Sequence, residues 1–117
     1  MNLAGIQQDL GLKNLTPEIP LDDSHAITGG YASDLLSDVL AHAPRHGVLV
    51  TAQVHMNVIA VAAHVELASV IFSLGREPEE SVRRKAIEEE IPLFATGQSA
   101  FDVAGRLYAL GLRGNYE

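Results

Sequence analysis

Val48-Leu49-Val50-Thr51-Ala52 leads straight into Gln53-Val54-His55, an unbroken apolar run that ends in polar residues. Apolar residues without alternation are what a strand covered on both faces requires. Three further runs share this shape: Ala26-Ile27-Thr28 into Gly29-Gly30, Ser69-Val70-Ile71-Phe72-Ser73-Leu74 into Gly75-Arg76, and Pro92-Leu93-Phe94-Ala95 into Thr96-Gly97-Gln98-Ser99. Segments of helical period separate them, so the chain reads as repeated strand–loop–helix units. Units of this kind build parallel sheets, and ligands gather where the carboxyl ends of the strands emerge. The predicted fold is α/β, a three-layer sandwich in which helices flank a largely parallel sheet.

The helices follow from caps and spacing. Leu3, Ile6 and Leu10 recur at helical intervals, with Asn2 as cap and Gly11-Leu12 as a left-handed stop. Lys13 to Leu21, interrupted by Pro17 and Pro20, reads as a brief extended piece and a loop, and Asp22-Asp23-Ser24 as a turn. Ser33 is expected to cap the second helix, with Asp34 in its first turn, Leu35, Leu36, Val39 and Leu40 as its buried face, and Pro44 as its end. Asn57 to Leu67 mixes β-branched residues with Ala60, Ala62 and Ala63; the alanines and a capping Asn57 predict a helix. Val58, Ile59, Val61, Ala62 and Val65 leave it little polar face, so burial on more than one side is expected, with another subunit as a candidate for the second side. Pro78 opens the next helix, Glu79 and Glu80 complement its amino end, and Glu79–Arg83, Glu80–Arg84, Arg84–Glu88 and Lys85–Glu89 are spaced as surface ion pairs. Ser99 caps the last helix, where Phe101, Val103, Ala104, Leu107, Tyr108 and Leu110 are expected to pack before Gly111. Residues 1–117 make one domain, with 113–117 as a flexible tail.

Composition narrows the function. Eight Lys and Arg against fifteen Asp and Glu give a formal charge of −7, which argues against nucleic acid as a partner. With no Cys there is no disulfide, thiolate nucleophile or Cys-ligated metal. Met1-Asn2-Leu3-Ala4-Gly5 lacks the basic and apolar parts of a signal peptide, and the apolar stretch Val58 to Val65 is too short for a bilayer. A soluble, cytoplasmic protein without membrane contact is expected.

The polar strand ends supply the candidate site. Thr28-Gly29-Gly30 ahead of Ser33 offers backbone N–H groups to an anion; the alternative is a tight turn that needs glycine for its dihedrals alone. No Gly-Lys-Ser/Thr follows, which excludes a Walker loop. Gln53, His55 and Asn57 lie just past a central strand, at the expected switch region of the sheet. They combine donors, acceptors and a group that titrates near neutrality, although no nearby carboxylate orients His55 as a base. Arg76 either clamps an anion or pairs with Glu77 or Glu80. Thr96 to Ser99 forms a second potential anion cradle, with Ser99 also explained as a plain helix cap. Pro44 breaks the helix that would align His42 with His46, so no metal site is expected, and His64 reads as a core or interface residue.

The stretch Ile27-Thr28-Gly29-Gly30-Tyr31-Ala32-Ser33-Asp34-Leu35-Leu36-Ser37-Asp38-Val39 resembles the DRTGG domain family. So do Gln53-Val54-His55-Met56-Asn57-Val58-Ile59-Ala60-Val61-Ala62, Gly75-Arg76-Glu77-Pro78 and Ser99-Ala100-Phe101-Asp102-Val103-Ala104-Gly105-Arg106-Leu107-Tyr108. Ser24-His25 stands where the family often carries an acid-base pair ahead of Thr-Gly-Gly. The resemblance implies a fold similar to the amino-terminal domain of HPr kinase without the kinase's phosphate loop. It also implies a regulatory, dimerising module like those in phosphotransacetylases and beside CBS domains in regulated pyrophosphatases. The expectation is a non-catalytic, homodimeric ligand-sensing module without a cofactor, binding an anionic nucleotide or phosphorylated metabolite. A small transferase or hydrolase using His55, or a structural adaptor, is the alternative.

Overall fold

In the computed structural model, which describes residues 1–22 and 26–114, the elements follow in the order α1 (Leu3–Leu10), β1 (Lys13–Asn14), β2 (Gly29–Ala32), α2 (Leu36–His42), β3 (Gly47–Thr51), α3 (Met56–Val65), β4 (Ser69–Phe72), α4 (Glu80–Glu88), β5 (Leu93–Ala95) and α5 (Ala100–Ala109). The sheet runs β1-β5-β4-β3-β2; β1 is antiparallel to β5 and every other neighbouring pair is parallel. Leu49 stands between Tyr31 and Val70, and Ile71 between Val50 and Phe94.

Alternation along the strands sorts side chains into two cores. Leu49, Val70, Phe72 and Leu93 pack with Val39 of α2, Val58, Ile59 and Ala62 of α3, and Val82 and Ala86 of α4. Val48, Val50, Ile71 and Phe94 pack with Leu3, Ile6 and Leu10 of α1 and Val103 and Leu107 of α5. The layers follow from handedness. Successive parallel strands laid side by side in one direction by right-handed crossovers carry their helices on one face. That face takes α2, α3 and α4, and α1 with α5 covers the other. The three-layer α/β sandwich is the predicted one.

Several local expectations are corrected. The first parallel strand is Gly29–Ala32, not Ala26–Thr28: the glycines pair with Gly47 and Val48 instead of turning. Thr28 lies at its amino end, its amide donating to the carbonyl of His46 at 3.1 Å. Ser33 does not cap α2. The residue before the helix is Leu35, without a side-chain cap, and the Ser33 hydroxyl accepts from the Leu35 amide at 3.1 Å in a local turn. Leu35 and Leu40 are exposed, leaving Val39 as the buried anchor of α2.

Helix α3 begins at Met56 after His55, so Asn57 is not its cap. Its apolar surface is taken up within the chain, because α2 and α4 pack along its two sides. Val61, Ala63 and Val65 are half-buried there, so the hydrophobicity of α3 calls for no second subunit. On α4, Arg83 joins Glu80 at 2.7 Å and Glu18 at 2.8 Å rather than Glu79, and Lys85 rather than Arg84 reaches Glu88 at 4.0 Å. The pairs Glu80–Arg84 and Lys85–Glu89 form as expected. Hydrogen bonds from Arg83 and then Arg84 hold the Glu80 carboxyl down at about 2.

Helices α1 and α5 carry the expected caps: Asn2 accepts from the Gly5 amide at 2.8 Å and Ser99 from the Asp102 amide at 3.1 Å. Phe101 and Tyr108, expected in the core, are 87 % and 59 % exposed. Arg113 is no loose tail. Its carbonyl accepts the Gly30 amide at 2.9 Å and its guanidinium lies 3.7 Å from the centre of the Tyr108 ring. The Asp22-Asp23-Ser24 turn, the Ser24-His25 pair and the tail beyond Gly114 fall wholly or partly outside the described residues. His46, Glu66 and Glu90, in the turns that lead into β3, β4 and β5, adopt left-handed backbone with φ of 64°, 63° and 58°.

The antiparallel edge is fixed by Thr16, which is fully buried and whose hydroxyl accepts the Leu93 amide at 3.0 Å, beside a 2.9 Å bond from the Leu15 amide to the Leu93 carbonyl. Thr16→Val keeps the shape and strands that amide. It is expected to cost about 1–3 kcal/mol, read as a lower midpoint with unchanged slope in urea unfolding.

Candidate functional site

The candidate residues divide between opposite ends of the sheet. Thr28, Gly29 and Gly30 lie at the amino end of β2, whereas Ser33, Gln53, His55, Asn57, Arg76, Thr96 and Ser99 lie past the carboxyl ends of β2 to β5. The strand assignment is the reason: with Gly29 and Gly30 inside β2, Thr28-Gly29-Gly30 cannot face the loops that leave the far end.

At the carboxyl ends the loops differ in how many of their polar groups are already used. Asp34 ties the β2 loop to β3, its Oδ1 accepting from the Thr51 hydroxyl at 3.0 Å and the Ala52 amide at 2.7 Å. The parallel strands succeed one another without reversal, so His55 stands at no switch point. Loops leave for opposite faces only between β4, followed by α4, and β5, followed by α5. That divergence is where open α/β sheets usually hold ligands, and here the protein fills it itself. The Leu74 amide donates to the Gln98 carbonyl and the Gly75 amide to the Thr96 carbonyl, both at 2.9 Å. Thr96 Oγ1 accepts from the Gln98 backbone amide and from its side-chain Nε2, Nε2 also donates to the Leu10 carbonyl at 3.0 Å, and Ser99 Oγ caps α5. Thr96 and Ser99 are thus committed to internal bonds.

The loops after β3 and β4 are the open ones. Among the described residues the side chains of Gln53, His55, Asn57 and Arg76 make no hydrogen bond or ion pair. The expected surface pair of Arg76 does not form; Glu77 joins Lys13 at 3.1 Å instead, and Glu80 is taken by Arg83 and Arg84. His55 is exposed and precedes α3. Among the described residues no carboxylate is bonded to its ring, so none of them holds it as an oriented base. Beside this cluster, at the end of β4, the fully buried Ser73 hydroxyl has no hydrogen-bond partner among the described residues.

Two features were not anticipated. The Tyr31 hydroxyl donates to both Asp38 oxygens at 2.9 Å, and His42 Nδ1 lies 3.0 Å from Asp38 Oδ1. The spacing of Asp38 and His42 on one helical turn was the available signal; Tyr31 could join them only once β2 was placed. Hydrogen bonds from Tyr31, then Ser33, then His42 keep the Asp38 carboxyl below the usual range. The second feature is a cavity of about 160 Å3 between the outer edge of β2 and α5, walled by Gly30, Tyr31, Leu107, Tyr108, Leu112 and Arg113. It is mostly apolar and smaller than the roughly 300–1,000 Å3 of most ligand pockets. No group of three or more His, Asp and Glu residues is placed to hold a metal ion, and no helix is long and apolar enough to cross a membrane, among the described residues.

Against solved structures, the chain superposes over 97 % of its length on the crystal structure of the CBS and DRTGG domains of the regulatory region of Clostridium perfringens pyrophosphatase, complexed with the activator diadenosine tetraphosphate, with a TM-score of 0.69 and 14 % identity. The fold is DRTGG-like. The chain spans 48 % of that neighbour. No protein-family model matches the sequence, and no curated protein does. At this identity the likeness is one of architecture.

Two predictions follow the geometry. A Cβ on Gly30 would stand 3.1 Å from Leu112 Cδ2, so Gly30→Val is expected to destabilise by about 1–3 kcal/mol through overpacking, measured by urea unfolding. Asp38 has a depressed folded-state pKa, so its contribution to stability is complete above its unfolded pKa and lost as pH falls through the folded one. The difference in melting temperature between the protein and Asp38→Asn should therefore be largest near neutral pH and close in acid.

Proposed function

We propose that the chain is a regulatory, ligand-sensing module that is non-catalytic, spans residues 1–117 as one domain and self-associates in the cytoplasm. The observation that carries this reading is the fold it shares with a pyrophosphatase regulatory region. Ligand sensing is supported by the side chains of Gln53, His55, Asn57 and Arg76, polar, unengaged and grouped on the loops after two adjacent strands. The ligand is an anionic small molecule, a nucleotide or phosphorylated metabolite. Arg76 and His55 meet its charge, Gln53 and Asn57 its hydrogen-bonding groups, and Ser33, Thr96 and Ser99 frame the site. The net charge of −7 does not oppose this, because donors at contact distance outweigh distant charges that salt screens. Thr28, Gly29 and Gly30 stand outside the site, and Gly30 leaves room for Leu112 against β2. A hydrolase or transferase built on His55 is the weaker reading, since the ring has no carboxylate partner among the described residues.

The adaptor reading is favoured by one observation, the filling of the β4–β5 divergence by the protein's own bonds. Thermal-shift titration separates the two. Diadenosine tetraphosphate, adenine nucleotides and phosphorylated sugars are titrated against the protein and against His55→Ala and Arg76→Ala, both exposed and expected to fold normally. A melting temperature that rises with ligand concentration, by the equivalent of about 2.7 kcal/mol at a hundredfold excess over Kd, and that both variants abolish, supports ligand sensing. No shift across the panel leaves the adaptor.

A further inference from the structure

Helix α5 carries a surface that the fold does not use. Val103 and Leu107 are buried against the sheet, while Phe101 and Gly105, four residues apart, lie on the side turned away from it. Phe101 is 87 % exposed, the most exposed of the large apolar residues among those described. An aromatic ring left almost wholly in water forfeits about 1.5–3 kcal/mol of possible burial. Directly beside it, Gln98, Phe101, Asp102, Gly105, Arg106 and Ala109 outline an open depression of about 390 Å3. Asp102, Gly105, Arg106 and Ala109 are the four-residue diamond into which a side chain from a facing helix inserts, and a Cβ built on Gly105 would meet nothing within 4 Å. The same helix thus presents both a projecting ring and a hollow.

We infer that this face of α5 joins two copies of the chain, antiparallel across a two-fold axis, with Phe101 of each seated in the hollow over Gly105 of the other. The inference rests on the self-association proposed above and assigns it a surface. A projection and a hollow on one helix, offset along it, are matched at once only by an isologous pairing. Charge supports the same occupant. Asp102 and Arg106 flank the hollow, and antiparallel pairing about an axis beside Val103 and Ala104 brings Asp102 of one copy towards Arg106 of the other, twice. Asp102 makes no ion pair among the described residues, and Arg106 is engaged through one nitrogen to Gln98 at 3.1 Å. Opposite charges so placed fix register more than they add affinity.

Sedimentation equilibrium of the full chain over a wide concentration range tests this, with circular dichroism to confirm that each variant folds. The expected result is a dimer for the protein, a monomer for Phe101→Asp and for Gly105→Leu, and weakened association for Asp102→Arg or Arg106→Asp alone that the double exchange restores. The chain has no cysteine, so chains carrying Phe101→Cys mixed with chains carrying Gly105→Cys should form a disulfide-linked pair on mild oxidation. A dimer that survives Phe101→Asp and Gly105→Leu overturns the assignment of α5 and leaves self-association standing. A protein that stays monomeric at every concentration overturns both.

Discussion

Every other feature depends on one constraint: the central strands are apolar on both sides. Val48, Leu49, Val50, Val70, Ile71 and Phe72 are at most 2 % exposed. Such strands are stable only when both faces of the sheet are covered, and a run of right-handed crossovers in one direction covers only one of them. The second cover has to come from outside the β2–β5 run. It comes from α1 and α5, which meet on the far face although most of the chain lies between them. The same constraint locates the one place where loops part, between β4 and β5, because α5 is the first helix to cross to the other side.

Buried polar groups in this frame act as fasteners. Thr16 is bonded to the start of β5, Ser69 donates to the Pro92 carbonyl at 2.9 Å, and Thr51 is shared between Asp34 and the Gln53 amide. Each holds a strand end at a fixed height. The contrast with the loops after β3 and β4 is chemical. One set of side chains is spent on the protein itself, and the other stands unspent beside a buried serine hydroxyl that lacks a partner among the described residues. A regulatory site can be built on such a contrast, since unspent polar groups held on a rigid frame can bind a ligand without first breaking the protein's own bonds.

The fold was legible because its signals were redundant. Val48–Thr51 and Ser69–Phe72 were marked by continuous apolar runs, and α1 and α5 by caps that formed as read. Misplacements arose where one residue type serves two purposes. Gly29-Gly30 looks like a turn, yet lies in a strand paired with Gly47 and Val48, where Leu112 occupies the space that a side chain on Gly30 would fill. Ser33 and Asp34 look like a helix start, but Asp34 is drawn to the end of β3, a partner that is remote in sequence. The apolar excess of α3 makes another subunit a candidate cover, because sequence does not show that two helices flank it. Phe101 and Tyr108 look like core for the converse reason: helical spacing reveals that residues share a face, not which way the face points. The candidate site was half legible. Polar strand ends were identified, but whether their groups were already engaged depended on contacts such as Gln98 to Leu10, across most of the chain.

The left-handed turns at His46, Glu66 and Glu90 bear on how freely the sequence can vary. A side chain in that conformation costs about 1–2 kcal/mol, whereas glycine there would relieve the strain but enlarge the unfolded ensemble by about 0.4–1 kcal/mol. The two effects oppose each other and are of similar size. Conformation alone therefore sets only a weak preference at these positions, and what a charged or imidazole group does at the rim of the sheet can decide which residue stays. Glu66 shows such a use in its ion pair with Arg45. The amino ends of β3, β4 and β5 are thus places where the surface can be rewritten at small thermodynamic cost without disturbing the strands that follow.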